Sequence, residues 1–245
     1  MVDIQQLRDI EASLADAFNA RRQVLSFDEF FELFCERPKR FLRTAPEYIR
    51  DCMAHYGTRE VPRPGGAQTR FKIFDCPWNG GNKRVVGHEP AQDQLHRLLN
   101  NFVSEGRVTR LILLHGPNGS AKSSLVECLA QGLEEYSKTE DGAVYQFNWI
   151  FPTRSVAKRR LGFQSAARGP LTSYAHLPAE EVDARMPADL HDHPLLLLPT
   201  DRRMALLATL RESGHINDET PLADYLTHGD LAPRSHAIFE ALLSA

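Results

Sequence analysis

Apolar residues recur at three- and four-residue intervals through the first third of the chain, and the spacing predicts helices. Ile4, Leu7, Ile10, Leu14 and Phe18 line one face of a first helix. Ser26-Phe-Asp-Glu29 then offers a capping box ahead of Phe30, Phe31, Leu33 and Phe34, and Arg37-Pro38 closes that segment. A second box, Thr44-Ala-Pro-Glu47, carries proline at an early helical position and precedes Ile49, Cys52, Met53 and Tyr56, with Gly57 as the stop. These aromatic and aliphatic stripes read as core faces. Residues 1–57 are therefore expected to form a helical N-terminal region, and 58–84 a linker and loop. Thr58 to Gln68 has the Pro and Gly content of a linker, Arg70 to Phe74 suits a short strand, and Pro77-Trp-Asn-Gly-Gly81 is a turn or loop.

From Val85 the period changes. Val85-Val-Gly-His-Glu89 and Pro90 lead into a helix with apolar Leu95, Leu98, Leu99 and Phe102, stopped by Gly106. Thr109 to His115, built on Leu111-Ile-Leu-Leu114, reads as a buried strand, and Leu125, Cys128, Leu129, Leu133 and Tyr136 give the next helix a sheet-facing side. Ala143 to Phe151 is rich in aromatic and branched residues and reads as a second strand. Strand, loop, helix, strand predicts an α/β fold, a mostly parallel sheet flanked by helices, over residues 85–245. Residues 153–193 look like a long polar insertion, Leu195 to Leu198 a short buried run, and Thr200 to Gly214 a capped helix. Pro233 to Ala245 sets Ile238, Phe239, Leu242 and Leu243 on one face and ends without a cap, so the chain is expected to be a piece of a longer polypeptide.

Between the first predicted strand and its helix lies Gly116-Pro-Asn-Gly-Ser-Ala-Lys-Ser-Ser124, the densest chemistry in the sequence. A loop of exposed backbone amides ending in a helix N-terminus cradles anionic oxygens without needing many cationic side chains. Lys122 would reach the terminal phosphates of a nucleotide, and the Ser123 hydroxyl would sit on a magnesium ion. Ala121 stands where the phosphate-loop pattern asks for glycine, which predicts some backbone strain there. A working NTPase also needs a carboxylate at the end of a second apolar strand. In Leu195-Leu-Leu-Leu-Pro-Thr-Asp201, Pro199 and Thr200 displace the carboxylate, and Thr200-Asp201 serves better as a helix start. His191 and His193 are two metal-type ligands with no partners nearby in sequence and read as solvated loop. His115 reads as a strand-end residue packed beneath the phosphate loop.

Composition narrows the classes. Net charge is -3, from 32 acidic and 29 basic residues, so no global field favours nucleic acid or an anionic membrane. Lys158-Arg159-Arg160 is the one basic cluster kept as a candidate partner patch. Cys35, Cys52, Cys76 and Cys128 form no Cys-x-x-Cys pair and read as reduced thiols in a cytoplasmic protein, Cys128 on the inner face of its helix.

Taken together, the 116–124 loop, the Phe27 to Gly57 helices, Val85-Val-Gly-His-Glu89 and Asp192-His-Pro-Leu195 resemble the N-terminal AAA+ portion of the PrkA-type serine protein kinases. The resemblance runs along most of the chain and implies a P-loop NTPase (AAA+) core that binds Mg-ATP, a protein substrate, and homo-oligomerisation through that domain. It carries phosphate contact to Gly116, Pro117, Asn118, Gly119, Ser120, Ala121, Lys122, Ser123 and Ser124, and adenine contact to Val86 and Gly87. Lys122 takes the catalytic role and Ser123 the metal. The acidic motif, sensor and arginine finger of that family would lie beyond Ala245. A MoxR-like AAA+ remodelling switch that phosphorylates nothing is the rival implication, and a small-molecule kinase a third. The latter predicts an acidic motif within the chain, which the sequence lacks.

Overall fold

The structure is a computed structural model and describes residues 24–64, 66–156, 173–217 and 221–244. The Ile4 to Phe18 stripe and the Lys158-Arg159-Arg160 cluster lie outside the described residues. Contacts divide the chain into two units, one of Arg37–Tyr145 and Leu195–Leu231, the other of Met1–Glu36, Gln146–Pro194 and Ala232–Ala245.

In the first of these units, Pro38–Phe41 forms α2 and Ala45–Tyr56 forms α3, α1 being Phe27–Glu36 of the other unit. Thr44 caps α3 as its sequence dictates: its hydroxyl accepts from the Glu47 amide, and the Glu47 carboxylate accepts from the Thr44 amide at 2.7 Å. Thr58 to Gln68, linker-like in composition, instead belongs to an antiparallel hairpin of β1 (Thr58–Arg63) and β2 (Gly66–Phe71), in register from Thr58 opposite Phe71 to Arg63 opposite Gly66; of the short strand expected over Arg70 to Phe74, Arg70 and Phe71 are strand. Two short 3-10 turns, Lys72–Asp75 and Pro77–Asn79, lead to α4 (Glu89–Glu105), which ends at Gly106, and later to α5 (Lys122–Ser137).

One core joins these pieces. Cys52, Met53, Phe71, Ile73, Phe74, Cys76, Val85, Leu99, Leu125, Cys128 and Tyr136 are buried together. The inner face of α5 is Leu125, Cys128, Gly132 and Tyr136, the helical spacing expected of a packed stripe. An ionic cluster sits beside it: Arg70, only 2% exposed, donates to Asp75 at 2.6 Å, to the equally buried Glu89 at 3.0 Å and to the Val85 carbonyl at 2.5 Å. Burying a guanidinium is tolerated only with such full pairing. Farther along, α6 (Thr200–Glu212) and the short α7 (Asp224–Thr227) are held by buried Arg203, which donates to the carbonyls of Leu198 and Gly229.

The other unit contains α1, capped by the Ser26 and Glu29 box. It also holds a ribbon of β3 (Asn148–Pro152) and β4 (Val182–Pro187), and α8 (Pro233–Leu243). The ribbon is antiparallel, with a register shift at Phe151 and Pro152. Asp192 accepts from the Ala232 amide at 3.0 Å just before α8.

The expected α/β class, a P-loop NTPase (AAA+) core with a parallel sheet, is corrected by this topology. Among the described residues there are two antiparallel two-stranded sheets and no parallel pairing. Thr109 to His115 is irregular, with Leu111 89% and Leu113 78% exposed. Of Ala143 to Phe151 only the part from Asn148 is strand, and it belongs to a ribbon. Leu195 to Leu198 is largely 3-10 turn, bracketed by Pro194 and Pro199. An apolar run states that a segment avoids water; a strand also needs a neighbour for every amide and carbonyl along its edges, and the run does not name one. Among the described residues no helix is long and apolar enough to cross a membrane.

Candidate functional site

The loop ahead of α5 has the backbone that its glycines foretell. Gly119 stands at φ +81, where a side chain is strained, and a Cβ on Gly116 would come within 2.8 Å of the Ser120 hydroxyl. Ala121, the departure from the phosphate-loop pattern, is left-handed at φ 55 and ψ 20 and serves as the N-cap of α5. The strain expected at this position is present, since the left-handed region costs a non-glycine residue roughly 1–2 kcal/mol.

Lys122 folds back over the loop. Its ammonium donates to the carbonyls of Gly116 at 2.9 Å and Pro117 at 2.7 Å and to the Ser120 hydroxyl at 3.0 Å. Ser120 in turn donates to the Pro117 carbonyl at 2.8 Å. An ammonium has three donors, so all are used, and every acceptor belongs to the loop itself. Among the described residues Lys122 enters no ion pair, so its positive charge is not cancelled by a carboxylate.

Behind the lysine, α5 begins with no side-chain cap. Among the described residues the amides of Lys122, Ser123 and Ser124 make no hydrogen bond, while the Leu125 amide closes on the Ala121 carbonyl at 2.9 Å. Those amides and the helix dipole favour an anion, and the neighbouring ammonium adds to them. Ser123 is exposed and offers one hard oxygen. A magnesium ion is usually held by one or two carboxylates together with substrate phosphates, so this hydroxyl alone would leave most of the ion's ligands to phosphate and water.

A cavity of about 400 Å3 adjoins the loop, lined by Lys83, Arg84, Val85, Val86, Ala121, Ser124, Glu127, Cys128 and Gln131. Its size is that of ordinary small-ligand sites. It unites Val86 with Ala121 and Ser124 from the loop ahead of α5, although Val86 itself is 62% exposed. Gly87, at φ +84, lies outside the lining. The sequence reading missed Lys83, Arg84, Glu127 and Gln131. Ser124, Glu127 and Gln131 share a face of α5 by helical spacing, which was a usable signal; the Lys83 turn had none.

Other candidates are not gathered here. His115 is exposed rather than packed beneath the loop. His191 bonds Gln146 through its Nδ1 and His193 sets its ring edge-on to Phe30 at 6.1 Å, so the two histidines serve separate contacts. Among the described residues no three His, Cys, Asp or Glu side chains are grouped to hold a metal ion. No family model matches the chain, and no curated protein or solved structure is significantly similar to it.

Proposed function

We propose that this chain binds Mg-ATP through the Gly116 to Ser124 loop, as the nucleotide-binding module of a cytoplasmic PrkA-like serine protein kinase. The supporting observation is the unneutralised Lys122 ammonium, tied by its own loop to the mouth of an uncapped sixteen-residue helix. In this reading the amides of residues 122–124 and the Lys122 ammonium take the β and γ phosphates, and Ser123 takes magnesium. Val86 and the cavity beside Ala121 and Ser124 take the base and ribose. The phosphate part rests on geometry; the word kinase rests on the resemblance of the accompanying segments.

Phosphoryl transfer is catalysed chiefly by positioning and by neutralising charge on the transferred group, and an ammonium beside helix amides supplies both. The test is transfer of γ-labelled phosphate from ATP to a protein substrate. Label on protein serine supports the kinase. Nucleotide-dependent assembly with no labelled protein would replace it with a remodelling switch.

A further inference from the structure

Two of the four cysteines meet in the core beneath the candidate site. The sulfurs of Cys76 and Cys128 lie 3.1 Å apart, inside ordinary sulfur contact, although the residues are separated by 52 positions. Cys76 is fully buried and Cys128 is 2% exposed. Both sulfurs also face the Lys83 carbonyl, at 3.8 Å and 3.6 Å. Cys76 is held there by a left-handed backbone, φ 50 and ψ 57, between the two 3-10 turns. Cys52 and Cys35 are free thiols, and among the described residues neither contacts another sulfur.

Access is asymmetric. Cys128 lines the 400 Å3 cavity, whereas Cys76 does not. Of the two residues, a small peroxide entering the cavity therefore meets Cys128 first.

We propose that Cys76 and Cys128 are a redox-active pair which a hydroperoxide converts to a reversible disulfide. In the first step the Cys128 sulfur attacks the peroxide, forming a sulfur–oxygen bond and breaking the oxygen–oxygen bond, so hydrogen peroxide becomes water and Cys128 a sulfenic acid. In the second the Cys76 sulfur attacks the Cys128 sulfur, the new sulfur–sulfur bond forms, and the sulfenic oxygen leaves as water with the thiol proton. Two electrons pass from the thiols to the peroxide, and a dithiol reductant returns them. Burial, followed by the contact with Cys76, pushes the Cys128 thiol up to about 12, which makes the first step slow. The adjacent second thiol makes the next step fast, since the partner is already in contact. The pair would staple the turn carrying Cys76 to α5, and reduction would release it. The claim concerns the thiols alone and stands apart from the nucleotide reading.

The test is treatment of the folded, reduced protein with hydrogen peroxide, followed by thiol counting and peptide mapping. The expected result is a fall from four free thiols to two, a linked peptide joining Cys76 to Cys128, and recovery of all four with dithiothreitol. In Cys76→Ser the second step is blocked, and a dimedone adduct should accumulate on Cys128. Retention of four thiols under peroxide that oxidises exposed methionines, or a linkage that leaves either residue out, would overturn the proposal. Because the mapping is made on the parent chain, the outcome does not depend on how well the variant folds.

Discussion

At Lys122 every ammonium proton already has an acceptor in the loop, so under the proposed function an incoming phosphate would exchange one set of oxygens for another. The charge is thereby held in place before a ligand arrives. Two flanking positions report whether the backbone is as strained as its dihedrals state. Gly119→Ala forces a side chain into φ +81 and should destabilise the fold by about 1 kcal/mol. Ala121→Gly relieves a similar strain but gives up a methyl that packs against the core, so stability should change by less than about 1 kcal/mol. Chemical denaturation of the two variants checks the contrast; equal losses would mean that Ala121 is not left-handed in solution. A third residue reports by titration. The Ser26 amide, helped by His176 at 2.8 Å, holds the Glu29 carboxyl down at about 2, below its usual 4.5. A depressed carboxyl contributes stability above its unfolded value and loses it as pH falls through the folded one, so the α1 cap should persist at pH 4 and fail toward pH 2. Carbon NMR titration of Glu29 should show that low midpoint, and an ordinary one would remove the capping box.

At the scale of elements, α5 is positioned by what lies under it. Gly132 faces Ile73, and a Cβ there would come within 2.6 Å of the Ile73 Cδ1 atom and 3.1 Å of Trp78. Gly132→Ala should destabilise by about 1 kcal/mol, because overpacking by a methyl costs about 1–3 kcal/mol and alanine recovers about 1 kcal/mol of helix propensity. A more stable variant by thermal melt would contradict that seating. Helix ends were legible in the sequence because their signals are local: Thr44 with Glu47, Ser26 with Glu29, Gly57 and Gly106 all stand where their residue types predict. The inner stripe of α5 was legible for the same reason. The β1–β2 hairpin was not, since Val-Pro-Arg-Pro-Gly-Gly has the composition of a linker and only the pairing of Thr58 with Phe71 reveals a ribbon.

For the molecule as a whole, what the sequence could not supply was partnership between distant segments. Leu111 to Leu114 is as apolar as a buried strand, yet it is largely exposed, and among the described residues it pairs with no strand and no parallel sheet is found. The cavity was half legible for a like reason: Val86, Ala121 and Ser124 came from motif, while Lys83 and Arg84 arrive through the turn after Cys76. That turn depends on the Arg70 cluster, which ties β2 to Asp75 and to the first turn of α4 through Glu89. Arg70→Ala would remove the guanidinium that the buried Glu89 and the half-buried Asp75 share and should cost about 3–5 kcal/mol, seen as a lowered melting midpoint. The central claim is that the loop and its lysine hold a nucleotide triphosphate. Isothermal titration of the parent and of Lys122→Ala with Mg-ATP tests it most directly: the parent should bind, and the variant should lose about a hundredfold or more in affinity through the missing charge-assisted contacts. Equal binding by both chains would contradict it.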